Sequence, residues 1–267
     1  MAGLPPFAEA LLKPQAYPHL PQKVELVQTQ VSFVFLTGDY VYKVKKPVNF
    51  GFLDFTSLEK RRYYCGQEVL LNSRLCPGIY LGVVKVCRED ASFTIETQGE
   101  AVEYAVKMRQ LPRERMLDYL LRHGNATPQM LEKVAGKLVE FHRKAETNPG
   151  IARFGGMETA RTNTEENFGQ TEKYIDITVS RDRYDVIRAY SLGFLERNVP
   201  LFEKRMREGR IRDCHGDLHA AHVCLTDDIC IIDCIEFNDR FRYSDVAGDV
   251  SFLAMDLDYN GRSDLSR

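Results

Sequence analysis

Hydrophobic patterning along this chain breaks at Gln110-Leu111-Pro112, from mainly strand-like to mainly helical, and that change limits the folds open to it. Before the break, "VELVQTQVSFVFLTGDYVYKVKKPV" (24–48) is β-branched and aromatic, with Gly38-Asp39 as a turn between two apolar runs, which is a hairpin signal. "YLGVVKVC", "SFTIET" and "EYAVKM" read as further strands. One helix interrupts them: Thr56 and Glu59 make a capping box, Pro77-Gly78 marks a stop, and the helix is expected over about 57–75. Beyond the break the period becomes helical. "RERMLDYLLRHG" ends on Gly124, and Thr127-Pro128 opens a run with apolar residues at 130, 131, 134, 138 and 141. Residues 150–180, rich in glycine and threonine, give no clear signal, whereas 181–208 read as one helix. Residues 223–232 return to strand as "VCL", a "TDD" turn and "ICII". After a proline-rich, irregular lead-in over 1–23, the expected class is α+β: strands with one embedded helix, then helices with one inserted hairpin.

A chain of 267 residues can bury a substantial core as one large domain or two lobes. Its 28% charged content and net charge of −2 give no bulk attraction to nucleic acid or to a membrane. No apolar run reaches membrane-spanning length, and no basic segment leads into an apolar stretch at the N-terminus, so neither a transmembrane span nor a signal peptide is expected. The seven cysteines (65, 76, 87, 214, 224, 230 and 234) form no C-x-x-C pair, and the four between 214 and 234 lie in apolar runs where cysteine behaves as a small hydrophobe. Reduced thiols in a cytoplasmic protein are the expectation.

Three groups of residues carry reactive chemistry. Lys43 stands in "YVYKV", a strand whose alternate members should be buried, and Glu68 falls on the helix stripe of Tyr64, Leu71 and Leu75. A carboxylate on an apolar stripe costs several kcal/mol unless it is partnered, and Lys43 can partner it. A snorkelling lysine and a solvated glutamate would look the same in sequence. The second group is "CHGDLHAAHVCL" (214–225), which puts three of the six histidines into eight residues around Asp217. A metal cage, a catalytic loop and a hydrogen-bonded turn are all compatible with it. The third is Asp233, at the end of "ICII", with Glu236 three residues on. Two carboxylates leaving a buried strand suit Mg²⁺, and equally a turn or cap.

Together these groups resemble the aminoglycoside phosphotransferase-like, small-molecule kinase family of the protein kinase-like fold. "HGDLH" (215–219) is similar to its catalytic loop and "IIDCIEF" (231–237) to its metal-binding strand end. "VFLTGDYVYKVKKPVNFGFLDF" and "IEFNDRFRYSDVAGDVSFLAMDLD" resemble a bacterial group of that family, with the likeness running over roughly 24–260. The resemblance implies a two-lobed α+β fold: an antiparallel sheet with one helix over 1–109, and a mainly helical catalytic lobe over 110–267. It implies ATP or GTP with Mg²⁺ or Mn²⁺, and a small-molecule hydroxyl acceptor. Lys43 would contact the nucleotide phosphates, oriented by Glu68. Met108, Gln110 and Leu111 would form the hinge at the base, and Asp217, supported by His215 and His219, would receive the acceptor's proton. Asp233, with Glu236 and His222, would hold the metal, and Asp245 and Asp249 would steady the catalytic loop.

Three departures qualify that picture. No G-x-G-x-x-G precedes Lys43, so "QTQVS" with Ser32 is the candidate phosphate cover. His222 stands where the family usually has a metal-binding asparagine, and imidazole is a poorer Mg²⁺ ligand than oxygen. Family members normally continue through several more helices, and this group sometimes adds a P-loop kinase domain. An incomplete C-terminal lobe, cut from a longer parent protein, is therefore expected. Two other classes stay open: a catalytically weak kinase-like nucleotide-binding module, and a metallohydrolase using His215, His219, His222 and Asp233. Glu236, Asp239 and the acidic residues of 165–176 would favour a cationic acceptor, if they are not simply a solvated face.

Overall fold

The computed structural model describes residues 3–89 and 92–267. A short helix α1 (Pro6–Ala10) leads into strands β1 (Glu25–Gln28), β2 (Ser32–Leu36) and β3 (Tyr40–Lys45). Helix α2 (Leu58–Asn72) follows, then β4 (Tyr80–Glu89), β5 (Ser92–Ile95) and β6 (Ala101–Arg109). The six strands form one antiparallel sheet in the order β1-β2-β3-β6-β4-β5. The expected β2–β3 hairpin forms around Gly38, whose φ of 92° is left-handed and suits a residue without Cβ.

Alternation along the strands builds two apolar layers. Phe33, Phe35, Tyr42, Val44 and Ala105 face Ala8, Leu11 and Tyr17 of the lead-in, so that segment covers one side of the sheet. Val41, Val106 and Met108 face the other way, toward Cys65 of α2, Cys76 and Tyr80. Helix α2 begins one residue later than the capping box suggests. Ser57 accepts the Lys60 N–H, while Thr56 turns back to donate to Asp54.

The second part contains α3 (Leu117–Arg122), α4 (Pro128–Lys144), α5 (Pro149–Ala152), α6 (Met157–Thr171), α7 (Arg181–Arg197) and α8 (Val199–Arg207). Short strands β7 (Ile211–Asp213), β8 (Val223–Cys224) and β9 (Cys230–Ile231) come next. Then α9 (Asp239–Arg242), β10 (Tyr243–Asp245), α10 (Val246–Tyr259) and α11 (Ser263–Ser266) complete it. Leu131, Val134, Leu138 and Phe141 of α4 pack on Leu117, Leu218, Ile231 and Leu253, as the helical spacing requires. The single helix expected over 181–208 is two, because Pro200 lacks the amide that would continue the first turn-by-turn ladder and instead opens α8. The stretch 150–180, without a clear signal in sequence, is largely helical.

This is an α+β architecture: an antiparallel sheet with one embedded helix, followed by a mainly helical part. The expectation of seven reduced thiols is corrected. Cys76, just after α2, is disulfide-bonded to Cys230 of β9, and the other five cysteines are free and buried. Chain folding brings the two together across a separation of 154 residues, which no local motif signals. Among the described residues no helix is long and apolar enough to cross a membrane.

Candidate active site

Strand β3 and helix α2 meet through charge. Lys43 Nζ lies 2.9 Å from Glu68 Oε1 and 2.5 Å from Asp233 Oδ1, so the expected lysine–glutamate pair forms. Two residues on, and therefore on the same strand face, Lys45 Nζ lies 2.6 Å from Glu68 Oε2 and also pairs with Glu236. Lys45, Glu68 and Glu236 are all buried. Burial disfavours charge on Lys43, but Asp233, then Glu68 and Glu236, outweigh it and hold its pKa well above the ordinary lysine value. Burial likewise pushes Glu68 up, and the two lysines bring it net below its usual range. Glu236 stays above its usual value because burial and the nearby Glu68 carboxylate oppose Lys45. Lys45 was absent from the sequence-derived site, although its spacing from Lys43 in "YKVK" signals a shared face.

The loop after β7 is held from behind. Asp249 of α10 accepts the N–H groups of His215 (2.8 Å) and Gly216 (2.9 Å), and lies 3.1 Å from His142 Nε2. Gly216 has φ 87°, and a Cβ there would stand 2.9 Å from the Phe241 carbonyl oxygen, so the turn admits only glycine. His215 is fully buried. Its Nδ1 accepts the Asp217 N–H at 3.2 Å, which leaves Nε2 as the donor to the Ile232 carbonyl at 2.9 Å. Burial lowers its pKa to about 4, consistent with a neutral ring. His215 is therefore a positioning residue, and with both nitrogens committed it offers none to a shared ion. A cage of three histidines does not form. Asp245 caps α10 by accepting the Ala247 N–H and pairs with Arg205, so of the two expected supports Asp249 holds the loop, joined by Asp256, which accepts the Ala220 N–H at 2.7 Å.

Asp217 is half-exposed, with Oδ2 3.7 Å from His219 Nε2 and 3.9 Å from His222 Nδ1. The rings of His219 and His222 lie 3.8 Å apart, and burial followed by the His222 charge lowers the His219 pKa. His222 Nδ1 faces the Asp217 carbonyl oxygen at 2.9 Å and must donate to it, so the bare nitrogen of the neutral ring is Nε2. That nitrogen stands 3.5 Å from Asp233 Oδ2. Burial raises the Asp233 pKa, but Lys43 and then His222 more than offset it, and the carboxyl sits well below its usual range. Asp233 also has φ 64°, a strained setting for a residue with a side chain, held by the Tyr80 hydroxyl on its N–H.

Two cavities adjoin the residues that His222 contacts, Asp233 lining one and Asp217 the other. One, of about 290 Å³, is lined by Val34, Val41, Lys43, Met108, Leu111 and Asp233. The other, of about 640 Å³, has Asp217 in its wall with residues of α6, α8 and the α9 region. Ser32 and Glu236 are placed elsewhere than expected, while Gln110 stays in the cleft wall with Met108 and Leu111 and makes a further contact. The Ser32 hydroxyl is closed from solvent opposite Lys45, leaving Thr29 at the cleft edge. Gln110 is occupied with the β2–β3 turn: its N–H donates to Asp39 and its side chain accepts from Gly38. Glu236 is turned to Lys45.

No family model matches the chain. It is 33% identical over 243 residues to uncharacterized proteins of Mycobacterium tuberculosis and Mycobacterium bovis, covering 91% of this chain and 47% of each. The chain thus spans about half the length of the curated relatives it matches. Among solved structures it is similar to an aminoglycoside phosphotransferase of Streptomyces rimosus in complex with ADP and streptomycin. That match has 15% identity, TM-score 0.47, and covers 89% of this chain and 78% of the other. It is also similar to a choline/ethanolamine kinase family protein from Mesorhizobium loti, with 15% identity, TM-score 0.47, and coverage of 98% and 74%. The site thus combines a lysine–glutamate pair at the junction of β3 and α2 with a loop that Asp249 holds from behind.

Proposed function

We propose that this chain transfers the γ-phosphoryl group of ATP or GTP to a hydroxyl of a small molecule. The observation that carries the reading is His222, whose ring touches the Asp217 backbone on one side and faces the Asp233 carboxylate on the other. It thereby contacts one wall residue of the cleft containing Lys43 and one of the cavity containing Asp217. Phosphoryl transfer asks for that juxtaposition, a charged phosphate clamp beside a group that accepts the hydroxyl proton.

In this reading the base enters between Val34, Val41 and Met108, beside the Leu111 backbone. Lys43, oriented by Glu68, meets the phosphates. Asp217 accepts a hydrogen bond from the acceptor hydroxyl and takes its proton as the oxygen attacks phosphorus, at the distance His215 and Asp249 set. Asp233 and His222 would hold a divalent ion, which when bound neutralises phosphate charge. A donor set with one imidazole fits Mn²⁺ better than Mg²⁺. Glu236 is a positioning residue for Lys45. The activity and substrates of the longer relatives are a further proposal, since this chain corresponds to half of each.

The test is a thermal-shift series with ATP and GTP plus Mg²⁺ or Mn²⁺, followed by transfer of labelled γ-phosphate to a library of hydroxyl compounds. A nucleotide shift with transfer that Asp217→Asn abolishes is the expected result. Nucleotide binding without turnover under any metal would favour a binding module instead.

A further inference from the structure

We infer that the acceptor taken by the 640 Å³ cavity is an uncharged hydroxyl compound with an aromatic or apolar face, and not a polycation. This rests on the assignment of Asp217 proposed above. Charges around the cavity neutralise each other in pairs. Arg240 lies 2.6 Å from Glu166, Arg205 Nη2 lies 2.7 Å from Asp245, and Arg242 Nη2 lies 2.7 Å from Asp239. Glu236, another acidic candidate for drawing in a cation, is buried against Lys45. Among the described residues, Asp217 is the carboxylate of this wall left without an arginine or lysine partner. One carboxylate does not hold several ammonium groups.

What the wall offers instead is neutral polar groups together with rings. Asn163, Asn167 and Gln170 line the cavity from one face of α6, at spacings of four and three residues. The Asn163 Oδ1 is closed from solvent and has no hydrogen-bond partner, an arrangement that costs free energy until a donor arrives. A hydroxyl O–H is such a donor. The same wall carries rings: Phe154 packs edge-on to Tyr243 at 5.3 Å, and Phe52 leans on Phe241 at 6.0 Å. Rings and neutral amides in one wall suit a molecule with an apolar face and several hydroxyls.

The test uses the full chain with nucleotide present and four probes in calorimetry: phenyl β-D-glucoside and uridine as neutral compounds, glucosamine and spermidine as cations. The neutral probes should bind at least about tenfold more tightly than the cations, and Asn163→Ala should weaken them about tenfold while the nucleotide thermal shift stays unchanged. Tighter binding of a cation, or no binding of either neutral probe, overturns the inference. A wild-type protein that binds nucleotide and, of the probes that carry hydroxyls, phosphorylates only glucosamine defeats the inference and spares the phosphotransferase reading. Neutral-probe binding sensitive to Asn163→Ala, in a protein that transfers no phosphate, supports the cavity's chemistry and defeats the phosphotransferase reading.

Discussion

Glu68 Oε2 lies 2.6 Å from Nζ of Lys45, a lysine two residues beyond the one expected to hold this carboxylate. Glu68 thus braces two lysines, and Lys45 in turn neutralises Glu236. Replacing one member of such a buried group strands the others, typically at about 3–5 kcal/mol, whereas removing a matched pair costs much less. Lys45→Met should therefore lower stability by roughly that amount in urea unfolding. Adding Glu236→Leu should restore more than half of the loss. Strictly additive effects would show that the two residues do not share a buried pair.

Asp217 lines the 640 Å³ cavity and not the 290 Å³ cleft that the proposed function gives to the nucleotide. Asp217→Asn should lower phosphoryl transfer about 10²–10⁴-fold, the usual contribution of a positioned base, with the nucleotide-induced thermal shift retained. A matching loss of nucleotide binding would remove Asp217 from the acceptor side.

His222 presents Nε2 to Asp233 Oδ2 at 3.5 Å. If this nitrogen is a ligand, the wild-type protein should work better with Mn²⁺ than with Mg²⁺, and His222→Asn should move the preference toward Mg²⁺ because oxygen suits the harder ion. An unchanged metal ratio in the variant would assign His222 to holding the Asp217 backbone alone.

His215 gives stability a pH dependence of known sign. Burial lowers its folded-state pKa from 6.5 to about 4, so between those values the unfolded chain binds the proton more readily. Its stabilising contribution is intact above about pH 6.5 and is lost as pH falls toward 4, by about 3 kcal/mol in all. Urea midpoints of the wild type and of His215→Asn, measured across that window, should diverge at the high end and converge at the low end. Parallel curves would mean that His215 does not govern the slope.

The bridge between Cys76 and Cys230 leaves five thiols. Unfolded but unreduced protein should titrate five thiols, and the Cys76→Ser variant six. A typical bridge contributes about 2–4 kcal/mol, so reduction should lower the unfolding midpoint. Seven thiols before reduction would show the two cysteines unpaired in solution.

Local chemistry was legible from the sequence. The period change at Gln110–Pro112 separates strands from helices, Gly38 marks the hairpin, and Thr127-Pro128 opens α4 where the structure has it. Lys43 and Glu68 were readable as partners because a charge on an apolar stripe needs an opposite charge. These features depend on a residue and its neighbours within one turn or one strand pair.

Only the tertiary structure decided which charge meets which. Glu236 follows Asp233 by three residues, yet a side chain 191 positions earlier turns it inward to Lys45. Ser32 is polar and next to the turn, but strand register closes it beneath the sheet opposite Lys45. Cys76 and Cys230 carry no signal of their pairing, since their approach depends on how β9 packs after α2. The histidine cluster shows the same division. Its composition allowed a cage, a catalytic loop or a turn, and it took the backbone contacts of His215 and His222 to fix each ring's proton and leave one nitrogen facing Asp233. Sequence sets periodicity and the need for partners, whereas long-range packing sets distances, and the chemistry of a charged site depends on distance.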